Sequence, residues 1–558
     1  MRATHTLLSA LAATLSLSPL VQAVGQVQQT GLVVPSDQLK HKDEVKKMFT
    51  DSYGAYKQYA YPHDNLSPIG KKFSDGRNGW GATIVDAMDT MFIMGLTDLF
   101  YEATNFSSAI DFSHSKTADT VSVFETTIRY VGGLLSAYEL SGEQIPDLLT
   151  KARQVADKLS YAWVGTNSIP YSHIDFSNNK PVVATSNIAE AGTLTLEFAI
   201  LSKYTGNDKY RLLAEKSARF IAQNGAPLPG LPAQGIDPTT QSAVGGYITW
   251  GGGSDSYFEY LIKYPWLNIA SDPIYADSWR AAVDSSIRTL LRTSTLGDYT
   301  YLADYDDQGK IRHVSSHLAC FHGGNWILGG RLLENQTIVD YGLKLTDTCW
   351  NTYTSSATGI GPEAFAFVSS DGSYTGGNDP TTSEKAYNNQ HGFYPTSSAY
   401  IQRPEVLESN FYAWRATGDT KYLNRAAAAV ASLNEYTQVS SGGYAGLADV
   451  NNLSGSMYDN TESFWYAETL KYLYLTFDDP SRFSLDEYVF NTEAHPFKVT
   501  PAPKDKPLGS GTPYTPLTPF KTITGDLPAI SAIPEIPGFI SGVDRVLSGV
   551  LNLFVLGI

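Results

Sequence analysis

Residues 122–139 read SVFETTIRYVGGLLSAYE. Val123, Ile128, Val131, Leu134, Leu135 and Tyr138 recur at roughly helical spacing and cover one face of a helix. Glu125 falls in its first turn and Arg129 follows one turn later, so the two can pair along the helix. A carboxylate at a helix start, flanked by Phe124 and a guanidinium, is placed to have its pKa tuned. On its own the pair also describes an ordinary surface ion pair.

Outward from this stretch the chain reads as helix after helix. Amphipathic runs cover 148–159, 210–221, 276–291, 338–350 and 423–436. Short Gly- and Tyr-rich segments lie between several of them: SIPYSH (168–173), GDYTYLADY (297–305) and SGGYAGLADV (441–450). YTGNDKY (204–210) echoes ATGDTKY (416–422), and each joins two helices, with Gly ending the first. Repeated helix pairs predict a closed helical toroid or a solenoid. The inner helices of a toroid must be apolar almost all round, as IAEAGTLTLEFAIL (188–201) is.

The bulk properties agree. Of 558 residues, 42% are hydrophobic and 17% charged, which describes a large core and excludes a disordered chain. A net charge of -16 argues against nucleic acid and anionic membranes as partners, and leaves a neutral glycan open. Arg2, the apolar run 7–17 and Val21-Gln22-Ala23 read as a signal peptide over 1–23, with an uncleaved anchor as the competing reading. Sequons begin at Asn65, Asn105, Asn335 and Asn452, as suits a secretory route. Cys320 and Cys349 can close a loop of about 28 residues in an oxidising compartment, or remain two buried thiols. Residues 500–537 read as a Pro-rich linker. The apolar register of 541–558 allows docking on the barrel, a membrane-interface contact or a lipid-anchor signal.

FETTIR (124–129) resembles a signature of the class I α-1,2-mannosidases, glycoside hydrolase family 47. GWGATIVDAMDTMFIMGL (79–96), GGGSDSYFEYLIK (251–263), RPEVLES (403–409) and NTEAHPF (491–497) follow in the family's order, and the likeness runs over about 43–497. It implies an all-α (α/α)7 barrel over 24–499, with short β-hairpins at one end and the active site on the axis. It also implies a Cys320–Cys349 disulfide. Gln402 before Arg403, and Met88 and Met91, depart mildly from the family pattern.

Hydrolysis by direct displacement needs one acid to protonate the leaving oxygen and one base to activate water. Asp86, Glu125, Glu190, Asp255, Glu259, Glu405, Glu408, Glu462 and Glu493 are the candidate carboxylates, set among Gly, Ala and aromatic residues where idle charge is costly. Pro404 suits a first helical position and puts Glu405 where the helix dipole favours its anion. By resemblance, Glu125 is a general acid with Asp255 as alternative or partner, and Glu405 is the base. The expected carboxyl separation is about 6.5–9.5 Å, with inversion at the anomeric carbon. The resemblance gives Thr492 to a Ca2+ ion whose water shell is completed beside Glu408, Glu462 and Glu493; a helix N-cap is the plain alternative. Arg129 and Arg403 join the acids in contacting substrate. Gly253 implies a roomy site that trims several mannoses, because members that remove one particular mannose tend to carry arginine there.

His317 and His322 are wrongly spaced for zinc on one helix face, and GIGPEA (359–364) lacks the strand a dinucleotide site needs. The expectation is a monomeric, calcium-dependent, inverting α-1,2-mannosidase acting on high-mannose N-glycans, secreted or in the Golgi or ER lumen. Its alternative is a non-catalytic, lectin-like mannose-binding factor on the same barrel.

Overall fold

The computed structural model describes residues 24–377, 379–500 and 506–513. The signal peptide and the apolar stretch 541–558 lie outside them. Among the described residues, the chain runs as alternating inner and outer helices. The inner ring is Ala82–Ile93, the composite helix from Val123 to Leu140, Ile188–Gly192 with Thr195–Thr205, Asp255–Leu267, Phe321–Leu332, Glu405–Thr417, and Trp465–Thr469 with Leu470–Phe477. Each packs on the next, and the last returns to the first, which closes a ring of seven. The outer ring is Lys40–Tyr59, Thr97–Ser108, Pro146–Leu159, Lys209–Gln223, Ile274–Ser285, Gln336–Thr354 and Lys421–Thr437. The fold is the (α/α)7 barrel.

Burial explains which helix goes where. Every residue of Leu470–Phe477 is buried, whereas Pro146–Leu159 buries only the stripe Leu148, Ala152, Val155, Ala156 and Leu159. Met88 and Met91 are fully buried in an inner helix. The two echoed linkers do the same job: Gly206 and Gly418 take left-handed φ of 66° and 69°, and their N–H groups donate to Ser202 and Trp414 carbonyls to end inner helices.

The inner helices start at one end of the toroid, where small sheets lie. Strands Val121–Ser122 and Ser186–Asn187 run directly into inner helices. Each belongs to a three-stranded antiparallel sheet. From the other end, the hairpin of Tyr488–Phe490 and Pro496–Lys498 fills the axis. Lys498 N donates to Glu139 Oε2 (2.8 Å) near the end of the composite helix, and Asn491 at the tip donates to the Ile128 carbonyl (3.0 Å). Gly132 and Gly133 leave room for it: a Cβ on Gly132 would stand 2.8 Å from Asn491 Nδ2.

The opening stretch departs from a plain helix. Thr126–Val131 is a π-turn between Val123–Glu125 and Gly132–Leu140, and its residues are buried all round instead of on one face. Trp465–Thr469 is a second π-turn at the axis; such insertions mark functional positions. Cys320 and Cys349 are disulfide-bonded and tie an inner helix to its outer neighbour. Asn105, Asn335 and Asn452 are exposed, but Asn65 is only 8% exposed, so its sequon is closed in the folded chain. Residues 506–513 lie along the barrel: Ser510 N and Gly511 N donate to the Ile269 and Ser271 carbonyls (2.9 and 3.0 Å), with Leu508 buried.

Candidate active site

The axis opens at the sheet-bearing end into a cavity of about 680 Å³. Inner-helix N-termini supply its walls. Glu125 stands three residues after Ser122, whose hydroxyl accepts from Glu125 N (3.2 Å), and Glu190 stands likewise after Asn187 (2.9 Å). Asp255 and Glu405 open the next two acidic helices. Thr492 and Glu493 enter from below on the hairpin tip. Helix dipoles at these ends favour anions, but they do not cancel repulsion among them.

Each carboxylate has its own partners. Arg129 Nε donates to Glu125 Oε2 (2.8 Å), its Nη1 reaches Asp86 Oδ2 (3.4 Å) and Ser463 Oγ (3.2 Å), and it is paired with Glu493. Arg77 stands 3.6 Å from Glu125 on the other side. Burial pushes Glu125 up, and the two guanidiniums outweigh it and hold the carboxyl at about 2. His317 Nδ1 donates to Glu405 Oε2 (2.8 Å), while its Nε2 pairs with Tyr353 OH (2.8 Å). Arg403, held by Glu363 (2.7 Å), lies 3.8 Å from Glu405. Burial raises Glu405 as well, but His317 and Arg403 draw it below the ordinary carboxylate value.

Asp255 has no such cation in contact. Burial, with Glu259 and Glu405 nearby, lifts it to about 7 against the hydrogen bond from Ser256 N (2.8 Å). Burial and like charge also raise Glu408 and Glu468, and burial raises Glu190 and Glu493. Glu259 is paired with Lys263, which lies 3.9 Å from Glu408.

Of the residues singled out in the sequence, Glu125, Arg129, Glu190, Gly253, Asp255, Glu259, Arg403, Glu405, Glu408, Thr492 and Glu493 line this one cavity. Asp86 lies beneath Arg129, fully buried. Glu462 is a correction. It sits in the loop before the last inner helix, where its N–H donates to Gln402 Oε1 (2.9 Å) and its carboxylate accepts from Asn460 (2.7 Å). Glu468, in the π-turn, is the lining carboxylate of that block. The rule that charge among aromatic residues is costly would have selected it in SFWYAETLKY. Arg77 and Glu363 carry no comparable signal, and the spacing of His317 in the sequence bears only on zinc. Gln402 is buried, and its Nε2 donates to the Tyr444 carbonyl (2.9 Å) behind Glu405.

Gly253 has φ +86°, and a Cβ there would meet Gln234 Nε2 at 2.8 Å. Gln234 donates to the Gly252 carbonyl (2.6 Å), so the space beside Gly253 is already bounded.

An axial cavity lined by acids and closed by seven helix pairs holds the paired carboxyls that glycoside hydrolysis requires. Comparison narrows the class. Glycosyl hydrolase family 47 matches residues 48–499, and the chain belongs to that family. It is 39% identical to the probable mannosyl-oligosaccharide α-1,2-mannosidase 1B of Aspergillus clavatus, over 82% of this chain and 92% of that protein. It is 38% identical to the mannosyl-oligosaccharide α-1,2-mannosidase 1B of Aspergillus phoenicis, over 82% and 91%. The solved α-1,2-mannosidase of Trichoderma reesei superposes with a TM-score of 0.79 at 36% identity, covering 83% of this chain and 99% of that one.

Proposed function

We propose that the protein is a calcium-dependent, inverting exo-hydrolase that removes terminal α-1,2-linked mannose from high-mannose N-glycans in the secretory pathway or outside the cell. The names of its relatives give the substrate class. The disulfide suits an oxidising compartment. No helix among the described residues is long and apolar enough to cross a membrane.

The observation that carries the reading is the contrast between two carboxyls in one cavity: Glu405 accepts from His317 with Arg403 3.8 Å away, whereas Asp255 has no cation in contact. Asp255, lifted to about 7, keeps its proton at mildly acidic pH and is the donor to the glycosidic oxygen. Glu405, drawn down by His317 and Arg403, is ionised and takes a proton from the attacking water. Glu125 matches the family's acid by position, but Arg77 and Arg129 keep it ionised. Its charge then supports the positive character that develops at the anomeric carbon.

The donor set fits a hard cation. Nine carboxyl groups line the cavity against three arginines, and crowding and burial push several of them up, which a bound cation would relieve. Among the described residues no group of three or more His, Cys, Asp or Glu forms a ready metal cage, so the ion would be held through Thr492 and water. Glu408, Glu468 and Glu493 would surround that water shell. When bound, calcium supplies a positive centre for sugar hydroxyls and water. Thr492 is fixed for the task, because its N–H donates to Tyr260 OH (3.2 Å).

Digestion of a nine-mannose oligosaccharide, followed by mass with and without EDTA, tests the reading. Stepwise, calcium-dependent loss of hexose is expected. Intact mass with retained glycan binding would instead establish a binding protein.

A further inference from the structure

A second cavity of about 680 Å³ lies off the axis, between the outer helix Pro146–Leu159 and the hairpin that follows His173–Asp175. Gln154, Asp157, Tyr161, Asn179 and Lys209 face it, with Phe112 at its base. Its charges have local partners: Asp111 at the rim accepts from Ser113 N (2.9 Å), with His114 3.9 Å away. Lys209 pairs with Asp157 (2.8 Å), which also accepts from Tyr210 OH (2.8 Å), and Lys158 donates to the Phe176 carbonyl (2.6 Å). Amides, hydroxyls and aromatic edges remain to meet a ligand. Asn179 Oδ1 is buried without a hydrogen-bond partner. A concave site with aromatic surface and dispersed neutral donors suits an uncharged polyhydroxylated ligand, not a phosphate or a cation.

Its position relates it to the axial cavity. Ser113 lines the groove and Asp119 the axial cavity, and six residues span at most about 22 Å. The hairpin bridges them again, with Asn179 at the groove and His173 at the axis. We infer that the groove is a second sugar-binding site, which takes one mannose-rich branch of the oligosaccharide whose other branch enters the axis. This rests on the mannosidase reading above.

The test is to measure kcat and KM of wild type, Tyr161→Ala and Gln154→Ala on the branched nine-mannose oligosaccharide and on an α-1,2-linked mannose disaccharide. Each substitution should raise KM for the branched glycan roughly three- to tenfold, the loss of one contact, and leave the disaccharide unchanged. Unchanged constants on both substrates, or equal losses on both, would overturn the groove. If wild type cleaves neither substrate, the mannosidase reading fails, and equilibrium binding of the nine-mannose oligosaccharide decides the groove separately. Weaker binding by both variants than by wild type supports it, and equal binding refutes it.

Discussion

Two clusters of buried charge share the axis of this toroid, and they are built on opposite terms. On the inner-helix side of the hairpin turn, Asp89 accepts from Lys471 (2.8 Å), from His495 (2.7 Å) and from Ser136 (3.0 Å), while Lys471 also donates to the Ala494 carbonyl (2.6 Å). Burial opposes both charges there, yet the partners win: Asp89 is held at about 2 and His495 at about 9. A few ångströms of hairpin away, the cavity acids outnumber their cations and several are pushed up. A balanced cluster locks a structure. An unbalanced one holds groups ready to exchange protons or to bind a cation.

The comparison breaks most sharply at Glu405. Glu405→Gln should lower kcat/KM by on the order of 10²- to 10⁴-fold and also lower Tm, because His317 and Arg403 lose the anion they hold. Lys471→Met should act mainly on stability. Leaving Asp89 short of its cation costs about 3–5 kcal/mol of stability, read by denaturant unfolding. The same lock responds to pH. His495 has its folded pKa raised from 6.5 to about 9, so its contribution is full below about 6.5 and is lost as pH rises through about 9. Tm should therefore fall across that window.

Smaller effects sharpen the boundary between the clusters. Gly132→Ala crowds Asn491 and His495 and should cost about 1–3 kcal/mol, while weakening any calcium-dependent rise in Tm through the displaced tip. Gly253→Arg forces a side chain into left-handed backbone against Gln234, at about 1–2 kcal/mol. It should also make trimming stop at a larger glycan, read as the mass of the final product.

The toroid was legible because its rules are local. The buried run 188–201 and the paired Gly-ended linkers at 206 and 418 specify inner helices, and the structure terminates both at those glycines. The number of helix pairs was not legible, because closure depends on contacts between helices distant in sequence; the family resemblance supplied it. The acids at helix starts were readable because capping and dipole place them. No periodicity announces the π-turn that carries Glu468 to the axis; only its charge among aromatic residues marks it in the sequence. His317, Arg77 and Glu363 come from loops, and only the closed ring brings them to Glu405, Glu125 and Arg403.

The most direct measurement is the pH dependence of kcat/KM for wild type and Asp255→Asn on the nine-mannose oligosaccharide. With Asp255 as donor and Glu405 as base, wild type loses activity as pH rises through about 7, and the acid limb lies below the ordinary carboxylate range. In Asp255→Asn the residual activity should lose that alkaline limb. An alkaline limb that stays near 7 in the variant would contradict the assignment and return the proton to another carboxyl.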